Sequence, residues 1–450
     1  MNYKTTLILA LVLAIGIVSV VFLDKKEKKE TTSKETSQKI IVMTEQEAEQ
    51  VFLQPSGIRI VRQPDGWKIV EPIETKADEN TVRTLINTFD WAKQERVFAA
   101  QPSDYSTYGL DPYKGMLIIT HKGISDTIYV GDKNVTGSLV YARKAGSPDV
   151  FLATTSLQSN LEKTLFDWRN KNIFSIQSTD VKKCVLNNPN GKFVLRRTGS
   201  DWLINEPVQA LAERTNVGQI VSRLSTEKAR AFVDENPASL TPFGLVRPKV
   251  QVELVIDENK DPLVLAIGNP VDGRYYARTS ENPPVFTVDS SLVRLISPTL
   301  FHLRDKRMVF FNQNEIDRIE FEHSGKIVVC TKDTSGAWNV VEPEARQGKA
   351  WVIRDLLKNV TDLKVVEFVS ESSRSLQPYG LAVPKSRTRF YIHDVLVYEL
   401  LLGDIRNELI YAKRGDEPRV VMIKKEIFSK LTPKLDDIGL PVSDQQANTQ

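Results

Sequence analysis

Three stretches of the chain carry apolar residues at helical spacing. In each stretch these residues follow the order i, i+3, i+4 and i+7, which places four side chains on one face of an α-helix. The stretches are Val82, Leu85, Ile86 and Phe89; Val217, Ile220, Val221 and Leu224; and Ile353, Leu356, Leu357 and Val360. We therefore predict one amphipathic helix in each third of the chain.

Alternating apolar and polar residues predict strands around each helix. Before the first helix, residues 58–62 and a segment that opens at Trp67 flank a polar turn, which is typical of a β-hairpin. Pro72 should end the second strand, because proline cannot donate a hydrogen bond to the sheet. Further strands are predicted at 96–98, 231–233 and 365–368, and in the first third at 116–120, 127–130, 140–143 and 150–152. Second helical stretches are predicted at 156–165 and 290–295.

The same motifs recur in the same order at an almost constant period. The segments WKIVEP, WLINEP and WNVVEP open at Trp67, Trp202 and Trp338, which are 135 and 136 residues apart. Each is followed by an aromatic-Gly-Leu triplet (108–110, 243–245, 379–381), by Gly-Asp or Gly-Asn (131–132, 268–269, 403–404), and by Tyr-Ala-Arg or Tyr-Ala-Lys (141–143, 276–278, 411–413). Several motifs that share one period indicate three copies of one unit.

The length of the period decides between a solenoid and separate domains. Solenoid repeats are about 20–50 residues long, whereas a unit of well over 100 residues can bury a core of its own. We predict an α+β fold of three tandem homologous units, at 42–174, 175–310 and 311–440, each a largely antiparallel sheet with one packed helix. The aromatic-Gly-Leu triplet should be a turn in which the glycine has a positive φ.

The amino terminus carries an uncharged run, TTLILALVLAIGIVSVVFL, at residues 5–23 after a leader at 1–4. As a helix this run would be about 28 Å long, enough to cross a hydrocarbon core of about 30 Å. A cleaved signal peptide is the alternative, but the run is long for one and no A-x-A site follows it. We predict an uncleaved transmembrane helix, then a charged tether at 24–41; residues 441–450 should be a disordered tail.

Composition and charge exclude several classes of protein. The net charge is +3, from 60 basic and 57 acidic residues, so the chain lacks the electrostatic footprint of a nucleic-acid-binding protein. Its two cysteines, Cys184 and Cys330, are too few for a disulfide scaffold or a Cys-rich zinc site. We predict two reduced structural thiols; a bridge between neighbouring units is the alternative.

Residues that recur in every unit are candidates for chemistry or for structure. The glutamates before each proline, Glu71, Glu206 and Glu342, could form a carboxylate site. The tryptophans could form a ligand platform, and the Tyr-Ala-Arg strands could bind an anion. We favour a structural interpretation of all three motifs, with the tryptophans in the core and Tyr-Ala-Arg on a solvated strand face. A residue that three copies share is most simply explained by their common fold.

No catalytic signature accompanies these motifs. The four histidines, His121, His302, His323 and His393, do not occupy matching positions and form no HExxH motif. The Gly-Asp and Gly-Asn pairs belong to no GxGxxG or Walker pattern. We therefore predict no catalytic, cofactor-binding or metal-binding residue, no cofactor, and a protein that is not an enzyme.

The order of the motifs within each unit resembles that of the domain of unknown function 4340 family. Each unit has a Trp strand ending in Glu-Pro, a helix, an aromatic-Gly-Leu turn, a Val-Gly-Asp or Ile-Gly-Asn turn, and a Tyr-Ala-Arg strand. The resemblance implies a bacterial protein with one N-terminal span and a large domain outside the cytoplasm. It also implies ABC-transporter components of the gliding-motility type as partners, and it supplies no catalytic residues.

Charge alone leaves the orientation of the span open. Lys4 precedes the span and four lysines at 25, 26, 28 and 29 follow it, so a literal positive-inside count would keep the large domain in the cytoplasm. Long domains translocate largely regardless of charge, however, and the resemblance favours an amino terminus inside. The expected location is the inner (cytoplasmic) membrane, with the bulk of the chain periplasmic.

Two functional hypotheses follow. The first is a non-enzymatic, single-pass envelope protein that acts as a spacer, a scaffold or an accessory of a membrane transport or motility-type assembly. The alternative is an envelope enzyme or ligand-binding protein that acts on a cell-wall polymer. The alternative requires a feature found in one unit only, such as a cleft with paired acids or an exposed aromatic row.

The ends of the first two units match each other. Segments 166–171 and 301–306 share an Arg-x-Lys pattern, and segment 428–433, which we align with them, lacks it. We predict that Arg169, Lys171, Arg304 and Lys306 lie at the two interfaces between units; capping of a helix carboxyl terminus is the alternative. Stiff interfaces would make a rod about 110 Å long from three units of about 35–40 Å.

Overall fold

The computed structural model describes residues 40–91, 96–99, 101–281, 284–415 and 417–441. These residues form two compact bodies. The first body runs to Asn172 and also contains Lys228–Phe232, and the second comprises Ile173–Glu227 and the chain from Val233 onward. The predicted leader, transmembrane helix, most of the tether and most of the tail lie outside the described residues. Among the residues described, none of the helices is long and apolar enough to cross a membrane.

Repeat one, the copy at 42–174, has strands β1 (Ala48–Gln54), β2 (Ile58–Gln63), β3 (Gly66–Glu71), β4 (Thr75–Lys76), β5 (Arg96–Ala99), β6 (Gly115–His121), β7 (Ile124–Lys133), β8 (Leu139–Lys144) and β9 (Val150–Thr154). Its helices are α1 (Glu79–Trp91), α2 (Ser156–Leu161) and α3 (Leu165–Trp168). Single 3-10 turns lie at Glu45–Glu47 and Ser106–Tyr108.

Repeat two has strands β10 (Lys183–Asn188), β11 (Gly191–Thr198), β12 (Asp201–Glu206), β13 (Ala210–Leu211), β14 (Ala231–Asp234), β15 (Val250–Val255), β16 (Leu263–Val271), β17 (Arg274–Thr279) and β18 (Val285–Asp289). Its helices are α4 (Arg214–Thr226), α5 (Ser290–Leu295) and α6 (Leu300–Leu303). A 3-10 turn lies at Ser178–Asp180.

Repeat three has strands β19 (Arg318–His323), β20 (Lys326–Lys332), β21 (Trp338–Glu342), β22 (Arg346–Gln347), β23 (Glu367–Ser370), β24 (Ser386–Ile392), β25 (Val395–Arg406), β26 (Leu409–Arg414) and β27 (Val420–Lys424). Its helices are α7 (Ala350–Thr361), α8 (Glu426–Lys430) and α9 (Leu435–Ile438). A 3-10 turn lies at Gln377–Tyr379.

Each repeat builds the same nine-stranded antiparallel sheet. In repeat one the strand order is β4-β3-β2-β1-β6-β7-β8-β9-β5, and repeats two and three reproduce it strand for strand. The first strand of each repeat therefore lies inside the sheet, between its hairpin partner and a strand that follows the long helix. The predicted α+β class and the three tandem units are confirmed.

The long helix of each repeat packs on one face of its sheet. In α1 the predicted stripe of Val82, Leu85, Ile86 and Phe89 is buried, and the matching stripes of α4 and α7 are buried as well. On the sheet, alternate residues of β6 and β7 such as Leu117, Ile119, Ile128 and Val130 join the same core. Helical and strand periodicity thus predicted the core-facing residues correctly.

The short helices differ from the prediction in two ways. The stretch predicted at 156–165 is two helices, because Thr164 begins α3: its N–H and hydroxyl both donate to the Asp167 carboxylate at 2.8 Å. Repeat three also closes with helices, α8 and α9, where none was predicted. Helices of four or five residues contain too few turns to show a hydrophobic period.

Both cysteines are free and buried, as predicted, and they occupy different strands of their repeats. Cys184 lies in β10 and Cys330 in β20. Burial raises the pKa of both thiols to about 12, because a thiolate loses its hydration in an apolar interior. Both thiols are therefore protonated near neutral pH.

Candidate functional site

Two of the recurring motifs meet in every repeat. The aromatic ring of the aromatic-Gly-Leu triplet contacts the tyrosine of the Tyr-Ala-Arg or Tyr-Ala-Lys triplet. The ring centroids are 5.1 Å apart for Tyr108 and Tyr141, 5.1 Å for Phe243 and Tyr276, and 5.2 Å for Tyr379 and Tyr411. Ring pairs at this distance stabilise a fold beyond the area that they bury. The aromatic motif is therefore a contact within each repeat.

The Gly-Asp and Gly-Asn pairs lie within a strand, at a β-bulge, so their prediction as a turn between strands is wrong. The pairing of β7 with β8 shifts register between Val130 and Lys133, and β16 and β25 show the same shift. The glycine is required because the backbone of the aromatic turn lies against it. A Cβ on Gly131 would lie under 3.0 Å from the Tyr108 carbonyl oxygen, and equivalent contacts would occur at Gly268 and Gly403.

The turn glycines have the predicted conformation. Gly109, Gly244 and Gly380 have φ of 65°, 70° and 64°, in the left-handed region that glycine enters at little cost. In repeat two the bulge is also joined to this turn by a hydrogen bond, in which the Asn269 N–H donates to the Phe243 carbonyl at 2.8 Å. Turn, bulge and tyrosine thus form one interlocked structural element.

The three recurring glutamates end strands and are exposed. Glu71, Glu206 and Glu342 close β3, β12 and β21, and each is followed by a cis proline. Arg59 Nε lies 3.0 Å from a Glu71 carboxylate oxygen, and Lys192 Nζ lies 3.5 Å from Glu206. In repeat one, four strands separate β3 from β8, which carries the tyrosine motif. The structure therefore does not combine the acids and the tyrosines into one site.

The three tryptophans are core residues, as predicted. Trp67, Trp202 and Trp338 are 3–5% exposed and cannot present a flat face to a ligand. A basic side chain covers each ring, with Arg62, Arg197 and Lys332 between 4.8 and 5.3 Å from the ring centroid. The tryptophans therefore stabilise the first hairpin of each repeat.

The junction between repeats two and three, within the second body, is built around Arg304. This arginine is 1% exposed, and its guanidinium carbon lies 3.7 Å from the centroid of the Phe368 ring in β23. Both terminal nitrogens of Arg304 donate to the Glu371 carboxylate, with Nη2 2.8 Å from Oε2. Arg304 therefore bonds residues of the following repeat, as predicted.

Backbone hydrogen bonds join the same two repeats. The Val365 N–H donates to the Lys306 carbonyl at 2.8 Å, and the Met308 N–H donates to the Leu363 carbonyl at 3.2 Å. The Arg304 hydrogen bonds also lower the pKa of Glu371 below its usual value, because they favour the charged carboxylate. Side-chain and backbone contacts therefore hold this junction together.

The lysines of the Arg-x-Lys pattern act differently from the arginines. Lys171 Nζ donates to the Phe166 carbonyl at 2.7 Å and to the Asp167 carbonyl at 3.1 Å, at the end of α3. Lys306 Nζ donates to the Arg304 carbonyl at 3.2 Å. Partial burial lowers the pKa of both lysines. The predicted interface position of Lys171 and Lys306 holds for their backbones, because their carbonyls accept from the Ala229 N–H at 2.7 Å and from the Val365 N–H at 2.8 Å. Their ammonium groups instead cap the end of a short helix, where a cation is favoured.

Arg169 makes the matching contact in the first body. Its guanidinium carbon lies 3.4 Å from the centroid of Phe232, a residue of the segment Lys228–Phe232. The Phe166 ring also faces Phe232, at 6.1 Å, as Phe301 faces Phe368 at 6.0 Å. The same arginine-on-phenylalanine contact therefore occurs twice.

The end of repeat three was aligned incorrectly from sequence. Equivalent backbone bridges pair Ala77 with Arg169, Ala212 with Arg304, and Gly348 with Gly439. The counterpart of Arg304 is therefore Gly439, at the end of α9, and segment 428–433 lies before it. Repeat three still lacks this arginine, because a glycine occupies the equivalent position.

The residues that Arg304 contacts, Phe368 and Glu371, were not predicted from the sequence. Phe368 in β23 pairs with Val421 of β27, and the register-equivalent pair in repeat one is Val97 with Phe151. Repeat one therefore has valine where repeats two and three have phenylalanine. Three residues further on, the sequence has Ala100, Glu235 and Glu371. The only signal was a Phe-x-x-Glu pattern shared by two of the three repeats.

Charges around the junction are paired with one another. A cavity of about 200 Å³ borders it, lined by Arg304, Arg307 and Arg419 among others. Arg307 pairs with Asp305, and Arg419 lies 3.4 Å from Glu371 and 3.6 Å from Glu417. Across the described ranges no three His, Cys, Asp or Glu side chains cluster as metal ligands would. The arrangement can hold two repeats together.

Comparison with protein families identifies the repeats. A model of the family described as "Domain of unknown function (DUF4340)" matches residues 67–203, 202–352 and 338–439. The chain belongs to the DUF4340 family. Each DUF4340 match opens at a Trp strand, at Trp67, Trp202 or Trp338, and the first two extend into the next repeat. The family model is therefore offset from the structural repeat, which begins with β1, β10 or β19.

Other comparisons add no inference about the DUF4340 chain. A search of curated proteins finds no significant match. The solved structures that resemble it include a DNA polymerase sliding clamp from Pseudomonas aeruginosa, at 8% identity over 86% of this chain and 93% of that one, with a TM-score of 0.15. Another is a putative DNA polymerase III beta subunit from Eubacterium rectale, at 7% identity over 87% and 94%, with a TM-score of 0.12. Similarity at this level carries no argument.

Proposed function

We propose that this chain is a non-enzymatic, single-pass envelope protein, anchored in the inner (cytoplasmic) membrane by residues 5–23. Its three repeats lie on the periplasmic side and serve as a spacer or scaffold, or as an accessory of an ABC-transporter-type transport or motility assembly. The observation that supports this most is the junction of repeats two and three, where buried Arg304 bonds Glu371. A spacer requires fixed contacts between successive units, and this pair is such a contact.

The contacts that the recurring residues make support a structural role for the protein. The aromatic triplets, bulge glycines and tryptophans all make contacts within their own repeat. The donor arginine recurs at the ends of repeats one and two, and the acceptor phenylalanine recurs in repeats two and three. Each repeat that another repeat follows thus carries the arginine, and each repeat that follows another carries the phenylalanine.

The first prediction concerns the anchor. Full-length protein should sediment with membranes, whereas a chain that starts at Lys39 should remain in the supernatant, because only the former carries the apolar run at 5–23. Ultracentrifugation without detergent, with immunodetection of both forms, measures this. A full-length chain in which Ile8 and Leu13 are changed to lysine is the matched control and should leave the membrane. Equal partition of all three forms would reject the anchor.

The second prediction concerns the spacer. Small-angle scattering of the chain from Lys39 should give a maximum dimension of about 110 Å, since three units of about 35–40 Å would be arranged in series. Replacing both Arg304 and Glu371 with alanine should broaden the distance distribution, because the junction then loses its charged pair. The exposed pair Arg196 and Glu258, changed in the same way, is the control and should leave the curve unchanged. A maximum dimension near that of one compact globule would reject the spacer.

A further inference from the structure

Repeat one carries an aromatic surface on the sheet face opposite α1. Residues on this face alternate with core residues such as Leu117 and Ile128, so their side chains point away from the helix. We call this surface the aromatic face; it comprises Phe52, Phe98, Tyr105, Tyr108, Tyr113, Met116, Ile118, Tyr129, Tyr141 and Arg143. Phe98 and Tyr113 are 45% and 41% exposed, and the others are partly exposed.

The shared fold does not require several of these residues. Met116 and Ile118 occupy the register positions of Gln251 and Glu253 in repeat two. In repeat three the same positions are Arg387 and Arg389, and Glu320 stands where repeat one has Phe52. Tyr129 likewise corresponds to Ala266 and Leu401. Phe52, Met116, Ile118 and Tyr129 are therefore specific to repeat one, whereas Tyr108, Tyr141 and Arg143 have counterparts in every repeat.

In repeat three the same surface is built from charged side chains. Arg389 Nε lies 2.9 Å from a Glu399 carboxylate oxygen, and the Tyr391 hydroxyl donates to Glu320 at 2.9 Å. These side chains form a network of charges across the sheet. The corresponding positions of repeat one hold a contiguous group of apolar and aromatic side chains, which is typical of a surface that binds another molecule.

Arg143 lies in the middle of the aromatic face. Its guanidinium carbon is 4.6 Å from the Tyr105 ring centroid and 5.0 Å from that of Tyr129, so two rings hold it in place. Its Nε is buried and has no hydrogen-bond partner, and within the described part of the chain Arg143 forms no ion pair. By contrast Lys413, its counterpart in repeat three, donates to the Arg414 and Gly415 carbonyls at 3.1 and 3.0 Å. Arg143 is thus a positioned cation that lacks a carboxylate.

We propose that the aromatic face binds a segment of another protein that places apolar side chains around one carboxylate, with the carboxylate paired to Arg143. Aromatic residues, Met and Arg are enriched in the cores of protein interfaces, and Lys, Glu and Asp are depleted there. The few residues that carry most of the binding energy at such interfaces are enriched in Trp, Tyr and Arg. The segment belongs to a periplasmic part of a membrane partner; that location, but not the binding itself, rests on the proposed function.

Selection from a library of random short peptides, displayed on phage, tests the proposal with the chain from Lys39 as bait. Enriched peptides should carry an Asp or Glu among apolar residues. A selected peptide, made synthetically, should bind the Arg143→Gln chain about tenfold more weakly, and the Tyr129→Ala chain at least as weakly. Lys413→Gln, at the matching position of repeat three, is the control and should leave its affinity unchanged. Because the bait lacks the apolar run, failure of the anchor would not affect this outcome.

Other results would overturn the proposal. Selected peptides without an acidic residue, no enrichment, or equal binding by the Arg143→Gln chain would each reject it. Flotation with phosphatidylglycerol vesicles that depends on Arg143 would assign the surface to lipid instead. A dimer in analytical ultracentrifugation that disappears in the Tyr129→Ala chain would assign it to a second copy. Hydrogen exchange of β6–β9 shows whether each variant keeps the native sheet. If the Tyr129→Ala chain loses the sheet, the affinity of the Arg143→Gln chain alone tests the proposal.

Discussion

Gly268→Ala should lower the free energy of unfolding of repeat two by about 3 kcal/mol. A Cβ at this position would lie under 3.0 Å from the Phe243 carbonyl oxygen, which is backbone and cannot rotate away. The bulge would have to separate from the aromatic turn, and the hydrogen bond from the Asn269 N–H to Phe243 would be lost. Hydrogen exchange of the α4 amides measures this, and their rates should rise roughly 100-fold, since each 1.4 kcal/mol is a factor of ten.

Gly218→Ala is the matched control in the same repeat. Gly218 lies within α4, nothing would contact its Cβ within 4 Å, and its φ is not positive. Alanine is favoured over glycine within a helix, so this variant should be more stable by about 0.5–1 kcal/mol. If Gly268→Ala were as stable as Gly218→Ala, the interlock of turn and bulge would not be a stabilising element.

Arg304→Ala should weaken the junction of repeats two and three by about 2–3 kcal/mol. The arginine is almost fully buried and is bonded to Glu371 through both terminal nitrogens, so its loss removes the bonds and leaves a void against Phe368. Glu371 is 41% exposed and can be rehydrated, which keeps the cost below that of a fully buried pair. Exchange of the Val365 and Met308 amides should accelerate roughly 30- to 140-fold, while α4 and α7 stay protected.

An exposed ion pair of the same chemistry provides the control. Arg196 and Glu258 lie 2.8 Å apart with 50% and 61% exposed side chains, so Arg196→Ala should change stability by under about 1 kcal/mol. Unchanged Val365 exchange in the Arg304→Ala chain would show that the junction is held by its backbone bonds alone. The pair also depends on pH. The pKa of Glu371 is lowered from 4.5, so its contribution is present above that pH and is lost as the pH falls through the lowered value.

Features that repeat within a short window could be predicted from sequence. The stripe of Val82, Leu85, Ile86 and Phe89, the hairpin before it and the positive φ of Gly109 depend on local periodicity or on the conformational range of one residue. The constant spacing of the tryptophans showed three copies of one unit. These properties need no knowledge of which strands are neighbours.

Tertiary structure decided the contacts between distant parts of the chain. The period-2 pattern of β7 could not show that Gly131 and Asp132 form a bulge, because the bulge exists only where the strand meets the turn at Tyr108. Likewise Phe98, Tyr129 and Tyr141 are ordinary strand residues in the sequence, and only the strand order places them on one face.

The junction shows the same division between sequence and structure. The sequence showed the recurring Arg304 but not its partners, because Phe368 and Glu371 lie more than 60 residues away on a strand whose register had to be known. It also led to a wrong alignment of segment 428–433 with the ends of the first two repeats, since the short helix α9 has no period to detect and only the bridge from Gly348 to Gly439 identifies the equivalent position. Local pattern determines the elements of this protein, and strand register determines which of their side chains meet.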